Sequence, residues 1–289
     1  MEASGRIETA LEAAMRRAEI DEAPPKLAAA MRYAVFPGGF RVRPRIALAV
    51  AQACGDDQPG LTDAAAAAIE LLHCASLVHD DLPCFDDAEI RRGRPSVHSV
   101  FGEPVALLAG DALIVLAFET LAQAGIQMPA RLPQLTLTIA RSVGAPHGIA
   151  AGQAWESEPD PPPERYRCAK TGALFVAATT VGALASGADP MPWRRLGHRL
   201  GEAYQVADDL LDAVGDAYDC DKPVGRDAAL GRPNAVTQLG VAGAVGRLET
   251  LISEALESIP PCDGEKELRD LVRMQALRLA PKKLFNRVA

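Results

Sequence analysis

Aromatic residues are scarce in this sequence. They make up 4% of the 289 residues, as two tryptophans, four tyrosines and seven phenylalanines. A core with so few large rings must be filled mainly by Ala, Leu, Val and Ile, which favours closely packed helices over a β-sandwich. Strand-like alternation bounded by turns is also missing from the sequence. These absences predict an all-α protein.

Positive charge is also in short supply. The chain has 30 Lys and Arg residues against 38 Asp and Glu residues, a formal net charge of −8. An acidic balance argues against nucleic-acid binding, because that function neutralises phosphates with Lys and Arg. Hydrophobic residues at 48% and charged residues at 24% are ordinary values for a globular protein, so the composition excludes a chain that is disordered throughout.

Signals for export, metal-bound cysteine pairs and membrane spans are weak. The six cysteines lie far apart, without a Cys-x-x-Cys pair, and the N-terminus is typical of a charged amphipathic helix rather than an export signal. The longest uncharged run, 171–188, is barely long enough to span a membrane and contains three glycines, three threonines and a serine. We expect a buried helix there, no stable membrane insertion and a location in the reducing cytoplasm.

Clusters of turn-forming residues divide the chain into long helical stretches. Apolar residues recur at helical spacing between these clusters, for example over 61–78, where Thr62 is a candidate N-cap, and over 105–121. The pattern predicts a single all-α domain spanning 1–289 with roughly ten helices. The turn clusters are at 55–60, 158–163, 189–192 and 259–264.

An acidic segment follows directly on a very apolar helix. Adjacent carboxylates at the end of such a helix repel each other unless a cation compensates them. Hard oxygen ligands select Mg²⁺ or Ca²⁺, and Mg²⁺ usually shares its ligands with substrate phosphates. The alternative is a solvated acidic loop balanced by Arg91, Arg92 and Arg94. The acidic residues are Asp80, Asp81, Asp86, Asp87 and Glu89.

A second acidic segment lies near residue 210. Asp208 and Asp212 are four residues apart, so on a helix their side chains lie one above the other, and Asp209 is adjacent. Like charges at this spacing destabilise a helix, and the apolar neighbours imply burial, which raises the cost. Two such segments facing one cavity could hold several Mg²⁺ ions around a diphosphate.

Five motifs occur in order along the chain. They are GlyGlyPheArgValArgPro at 38–44, the aspartates at 80–86 with ArgArgGly, LysThrGlyAla at 170–173, TyrGlnValAlaAspAspLeuLeuAsp at 204–212 and AspLysProValGlyArgAsp at 221–227. Any one motif would be weak, whereas five in order are highly specific. Together they resemble the motifs of the trans-isoprenyl diphosphate synthases over nearly the whole chain, and the segments 73–87 and 151–158 are most similar to bacterial geranylgeranyl diphosphate synthases of carotenoid and bacteriochlorophyll pathways.

The resemblance implies an isoprenoid-synthase-type helical bundle around a central cavity, a homodimer, and about three Mg²⁺ ions per active site. It also implies that the chain condenses isopentenyl diphosphate with an allylic diphosphate. The implied metal ligands are Asp80 and Asp86 on one side and Asp208 and Asp212 on the other, with Asp81 and Asp209 assisting.

The same resemblance implies the substrate contacts. Without it, His73 on an apolar helix would be interpreted as a core histidine, and Lys170 as a surface lysine. The allylic diphosphate would be held by Arg91, Lys170 and Lys222, the isopentenyl diphosphate by Arg43, His73 and Arg92, and the allylic cation would be lined by Thr171 and Gln205.

Product length depends on the helix that ends at Asp80. Ala75 and Ser76 lie about one turn before Asp80, and we expect them to set the depth available to the growing chain. Because Ala75 is small, we expect geranylgeranyl diphosphate as the product, with farnesyl diphosphate as the last primer. The alternatives are a farnesyl diphosphate synthase, a class I terpene cyclase and a non-catalytic regulatory subunit, but the last two normally lack one or both aspartate motifs.

The sequence departs from the family pattern after the GlyGly pair and again after Asp227, where residues 232–235 are ArgProAsnAla. The family usually has Lys after the GlyGly pair, where this chain has Phe40. An aromatic ring cannot donate a charge-assisted hydrogen bond to a diphosphate, an interaction that contributes about 1.5–3 kcal/mol. Phe40 therefore leaves the affinity for isopentenyl diphosphate open. The sequence also leaves open the preferred primer and whether another type of chain joins the dimer.

Overall fold

The computed structural model is almost entirely helical. It describes residues 3–20, 22–159, 162–214 and 234–279. The first half contains α1 (Ala3–Ala18), α2 (Pro25–Val35), α3 (Val42–Ala53), α4 (Pro59–Asp80), α5 (Val97–Phe101) and α6 (Glu103–Gly125). The second half contains α7 (Leu132–Val143), α8 (Ile149–Ala154), α9 (Pro163–Arg167), α10 (Ala173–Ala185), α11 (Arg194–Val214), α12 (Ala235–Glu257) and α13 (Glu265–Leu279). In the described residues, the turn clusters at 189–192 and 259–264 lie between helices, and those at 55–60 and 158–163 run into the first residues of α4 and α9. The all-α prediction is confirmed.

Small residues allow the central helices to approach closely. A Cβ atom added to Gly182 of α10 would lie 2.4 Å from the carbonyl oxygen of Ala47 on α3. On α11, a Cβ at Gly197 would lie 2.5 Å from the Cα of Val176 on α10. Backbones at this separation leave no room for a side chain at these two positions. The close packing of these helices therefore depends on the small residues at their crossings.

The expected N-cap of α4 is wrong. The helix begins at Pro59, before the 61–78 stretch, and no side chain caps its first turn. The hydroxyl of Thr62 instead donates to Oδ1 of Asp56 at 2.6 Å. Proline is favourable in the first turn because its missing N–H would be unsatisfied there in any case. The helix therefore starts one turn earlier than the apolar pattern indicates.

A short hairpin is the exception to the all-helical pattern. Strand β1 (Ile90–Arg91) pairs antiparallel with β2 (Arg94–Pro95). The two residues between them, Arg92 and Gly93, have φ angles of 54° and 72°. Two consecutive positive φ values are what a tight two-residue hairpin turn requires. The strands are too short to produce the alternation that would reveal them in the sequence.

Three helices in the described part of the chain are long and apolar enough to cross a membrane by length and composition alone. They are Pro59–Asp80, Glu103–Gly125 and Glu164–Ala185. The first and third are mostly buried inside the protein, at 78% and 61% of their most apolar windows, whereas α6 is 44% buried. The uncharged run after Thr171 forms α10, which is buried over most of its length.

Candidate active site

The first acidic segment folds back on the end of α4. The amide of Asp86 donates to the carbonyl oxygen of Asp80 at 2.9 Å, and the amide of Ala88 donates to that of Asp81 at 3.1 Å. These bonds close a tight loop in place of a further helical turn. As a result, the side chains of Asp80 and Asp86 lie next to each other.

A third carboxylate joins this pair. One carboxylate oxygen each from Asp80, Asp86 and Glu156 lies within 4.8 Å of the others, and all three residues are partly buried. Hard oxygen donors are what Mg²⁺ prefers, so Asp80 and Asp86 fit this ion. Glu156 lies on the turn Trp155–Ser157 after α8. Glu156 was not predicted as a site residue, because nothing in the sequence spacing distinguishes it from Glu158.

Asp81 has a different environment from Asp80. Its side chain is buried and accepts hydrogen bonds from Arg91, with Nε of Arg91 at 3.0 Å from Oδ1. Burial raises the pKa of Asp81, and Arg91 opposes this shift. The sequence predicted that Asp81 assists a metal and that Arg91 grips a diphosphate. The structure joins the two residues to each other, which anchors the hairpin to the end of α4.

Lys170 lies between two of the carboxylates. Its ammonium group is 2.5 Å from Oε1 of Glu156 and 3.3 Å from Oδ1 of Asp80. It belongs to a π-helical turn, Cys168–Gly172, that joins α9 to α10. The backbone of this turn lies against α8, because a Cβ on Gly152 would be 2.4 Å from the amide nitrogen of Lys170. Such local widenings of a helix are frequent at functional sites.

The second acidic segment is on α11. Asp209 is buried and accepts hydrogen bonds from Nε2 of Gln205 at 3.0 Å and from the amide of Ala235 at 2.7 Å. Burial raises the pKa of Asp209, and these two bonds oppose the rise. Asp209 therefore links α11 to the start of α12. Asp212 is also buried, and Asp208 is partly exposed.

A hydrogen bond connects the second acidic segment to the first. The hydroxyl of Thr171 donates to Oε1 of Gln205 at 2.7 Å, and the adjacent Lys170 contacts Asp80. The π-helical turn therefore bridges α4 and α11, as expected if both acidic segments serve one site. This hydrogen bond holds the side chains of Thr171 and Gln205 next to each other. Lys222, the remaining predicted contact of the allylic diphosphate, lies outside the described residues.

Basic residues gather around His73 on α4. Arg43 is 7% exposed, and its guanidinium carbon lies 4.6 Å from the ring centroid of Phe175 and 5.3 Å from that of Tyr204. Desolvation lowers the pKa of His73 well below its usual value, and Arg43 and Arg92 lower it further. Within the described residues, Nε of Arg43 has no hydrogen-bond partner. Buried positive charge of this kind suits an anionic ligand.

A buried ion pair lies beneath the basic residues. Arg41 donates to Oε1 of Glu70 and to the carbonyl oxygen of Val35, each at 2.8 Å, and to Oε1 of Glu8 at 2.9 Å. Burial lowers the pKa of Arg41, but the two carboxylates raise it by more, so the pKa is raised overall. The pair ties α1, α2 and α4 to the start of α3, two residues before Arg43. Neither Arg41 nor Glu70 was among the site residues predicted from the sequence.

Comparisons with known proteins agree with this geometry. The family model described as polyprenyl synthetase matches residues 24–269. The chain is 55% identical to a geranylgeranyl diphosphate synthase of Cereibacter sphaeroides over 98% of both chains. It is 52% identical to a protein of the same name from Rhodobacter capsulatus over 95% of both chains.

Solved structures share the fold. An FPP/GFPP synthase from Zymomonas mobilis, determined without ligands, matches with a TM-score of 0.81 and 29% identity, over 95% of this chain and 97% of that one. A geranyltransferase from Helicobacter pylori, in complex with magnesium and isoprenyl diphosphate, matches with a TM-score of 0.79 and 27% identity, over 96% of this chain and 98% of that one.

Proposed function

The chain belongs to the polyprenyl synthetase family and is a prenyltransferase, and on this premise we propose that it makes geranylgeranyl diphosphate. The reaction condenses isopentenyl diphosphate with an allylic diphosphate, and farnesyl diphosphate is the last primer. The product serves carotenoid and related isoprenoid biosynthesis. The family depends on Mg²⁺, and we propose about three ions per active site, as in the trans-isoprenyl diphosphate synthases that the motifs resemble.

The observation that carries this proposal is the pairing of two sites of opposite charge on one helix. Asp80 ends α4 and lies beside Asp86, and His73, with the basic residues around it, lies two turns earlier on the same helix. The carboxylates suit a diphosphate that is bound through metal ions, whereas the basic residues suit one that is bound directly. Two diphosphate substrates with different roles need this asymmetry.

The chain's own residues position the two substrates. Asp80, Asp86 and Asp208 would hold the metal ions, whose positive charge favours departure of the allylic diphosphate. Lys170 supplies a further positive charge at this end of the site. When the allylic C–O bond breaks, the carbocation lies beside Thr171 and Gln205, whose oxygen dipoles stabilise positive charge.

The basic residues hold the second substrate. Arg43, His73 and Arg92 orient isopentenyl diphosphate so that its double bond faces the allylic cation. The electron pair of that double bond forms the new C–C bond. A proton is then lost to the released diphosphate, which leaves an allylic product that is five carbons longer.

The experiment that tests the proposal is incorporation of labelled isopentenyl diphosphate. The purified protein should extend an allylic diphosphate in the presence of Mg²⁺ and stop when EDTA is added. A regulatory subunit would incorporate no label by itself, and a terpene cyclase would convert the primer without isopentenyl diphosphate. Either of these results would contradict the proposal.

Replacement of Phe40 by lysine tests the departure from the family pattern. Phe40 is 60% exposed and follows Gly39, where a Cβ would lie 3.1 Å from the guanidinium of Arg92. Phe40→Lys should lower the KM for isopentenyl diphosphate by about tenfold, because it adds one charge-assisted hydrogen bond. The KM of the allylic substrate should change less. Steady-state kinetics measure both values, and an unchanged KM for isopentenyl diphosphate would mean that the arginines and His73 already satisfy that diphosphate.

We also propose that the protein is a homodimer in the cytoplasm. Leu107, Leu108 and Val115 on α6 are about half exposed or more, and Val115 is 66% exposed. Leu108 and Val115 are two turns apart, so they share one face of the helix. Asp111, also exposed, lies between them. Exposed apolar side chains on one helix face are typical of an interaction surface, and a second copy of the chain presents the same face for a symmetric contact.

A charge on this face should separate the dimer. We expect Val115→Lys to sediment as a monomer in analytical ultracentrifugation, because the lysine would be desolvated at the interface. Met191→Lys is the matched control, since Met191 is 65% exposed on a different segment, and it should remain dimeric. A monomeric wild-type protein would contradict the dimer, and a dimeric Val115→Lys variant would place the interface elsewhere.

A further inference from the structure

Among the described side chains, Lys170, Tyr166 and Gln153 hold the carboxylate of Glu156. Oε1 accepts hydrogen bonds from Nζ of Lys170 at 2.5 Å and from the hydroxyl of Tyr166 at 2.7 Å. Oε2 accepts a hydrogen bond from Nε2 of Gln153 at 3.0 Å. The side chain is 16% exposed. Its orientation is therefore set before any substrate binds, and nothing in the proposed mechanism uses it.

Lys170 has a second carboxylate partner. Nζ is 3.3 Å from Oδ1 of Asp80, which is 0.8 Å farther than its distance from Glu156. A metal ion on Asp80 would repel the ammonium group and compete for the same oxygen. Glu156 can retain the ammonium under those conditions, because its own carboxylate is oriented by Tyr166 and Gln153.

We propose that Glu156 is a positioning residue, which holds the Lys170 ammonium at the edge of the Asp80–Asp86 site for the allylic diphosphate. This inference rests on the proposed function. A lysine side chain has many rotamers, and a fixed partner removes the need to order it when the substrate binds. Tyr166 and Gln153 act through Glu156 and hold it in place.

Kinetics of Glu156→Gln test the proposal. The amide keeps the size of the side chain but loses the charge, so we expect the KM of the allylic substrate to rise by roughly tenfold. The KM of isopentenyl diphosphate and the Mg²⁺ concentration for half activity should stay within about twofold. Glu158→Gln is the matched control, because Glu158 is exposed and two residues away, and it should behave like wild type.

A double-mutant cycle separates positioning from a general structural role. If Glu156 acts through Lys170, the double variant Glu156→Gln/Lys170→Ala should bind no more weakly than Lys170→Ala alone. Tyr166→Phe should weaken binding by roughly threefold, because it removes one hydrogen bond to the carboxylate. Additive losses in the double variant would overturn the proposal. A raised Mg²⁺ requirement with an unchanged allylic KM would also overturn it, because Glu156 would then be a metal ligand.

Binding measurements do not depend on turnover. Isothermal titration calorimetry with an allylic thiolodiphosphate, and with inorganic diphosphate, gives the dissociation constant for each variant. Glu156→Gln should raise the dissociation constant of both ligands by roughly tenfold. Its midpoint of thermal unfolding should stay close to that of the wild-type protein. Unchanged binding would overturn the inference. If the wild-type protein binds diphosphate but transfers no prenyl group, the proposed function fails while this test still gives its result.

Discussion

Asp80→Asn should lower kcat by roughly three orders of magnitude, and Asp208→Asn should have an effect of similar size. Each change removes one negative charge from a different acidic segment while keeping the size of the side chain. The affected interaction is strongest when the allylic C–O bond breaks, because the departing diphosphate carries the largest charge at that point. Both variants should therefore have a lower kcat, and the KM of the allylic substrate should change little.

The acidic loop provides a matched control for this experiment. Asp87 is exposed, lies next to Asp86 and has a φ angle of 46°, a conformation that asparagine tolerates well. Asp87→Asn should therefore retain wild-type turnover, and circular dichroism should show the same helix content in all three variants. Full activity in Asp80→Asn or Asp208→Asn would contradict a site shared by the two acidic segments.

The second large effect concerns product length. Among the partly exposed residues in the last turns of α4, His73, Ser76, Leu77 and Asp80 have the spacing of one helix face, and His79 lies to the side of it. Ala75 is 1% exposed and lies off this face. Ser76→Phe should therefore place a ring directly in the path of the growing chain, and the main product should change from geranylgeranyl to farnesyl diphosphate.

The sequence motivates the same change at Ala75. A phenylalanine there must either displace the helices that bury Ala75 or extend towards the open face, and the second outcome also shortens the product. Ser76→Ala is the control and should keep the wild-type product. Chromatography of the dephosphorylated products distinguishes farnesol from geranylgeraniol. If both phenylalanine variants still yield geranylgeraniol, the end of the chain is stopped elsewhere.

The helices could be predicted from the sequence because their signals are local. Turn clusters and apolar spacing depend on residues that are close in the chain, and the structure places helices between the predicted turns. The errors occurred where a competing local effect was stronger. Pro59 starts α4 earlier than the apolar pattern indicates, and the hairpin at Arg92 and Gly93 is too short to alternate.

The acidic segments could also be predicted from the sequence, but the different roles of the aspartates within each segment could not. Adjacent aspartates look equivalent in the sequence, whereas in the structure Asp81 pairs with Arg91 and Asp209 accepts the amide of Ala235. Helix direction and burial determine which carboxylate of each pair faces its neighbours on other elements. These features arise only when the helices pack.

Glu156 and the Arg41–Glu70 pair could not be predicted for a similar reason. Their partners are distant in the chain, and an isolated glutamate is typical of any soluble surface. The sequence offered one indication for Glu156, which is that it belongs to the segment 151–158 that resembles bacterial geranylgeranyl diphosphate synthases. Only the tertiary contact with Lys170 gives this residue a role.

The most direct test of the proposed function is the product that the wild-type protein makes from farnesyl diphosphate and labelled isopentenyl diphosphate. With Mg²⁺ present, we expect one addition, and geranylgeraniol as the main labelled alcohol after dephosphorylation. If farnesyl diphosphate is not extended, while geranyl diphosphate is extended only to farnesyl diphosphate, the protein is a farnesyl diphosphate synthase and the proposed product is wrong.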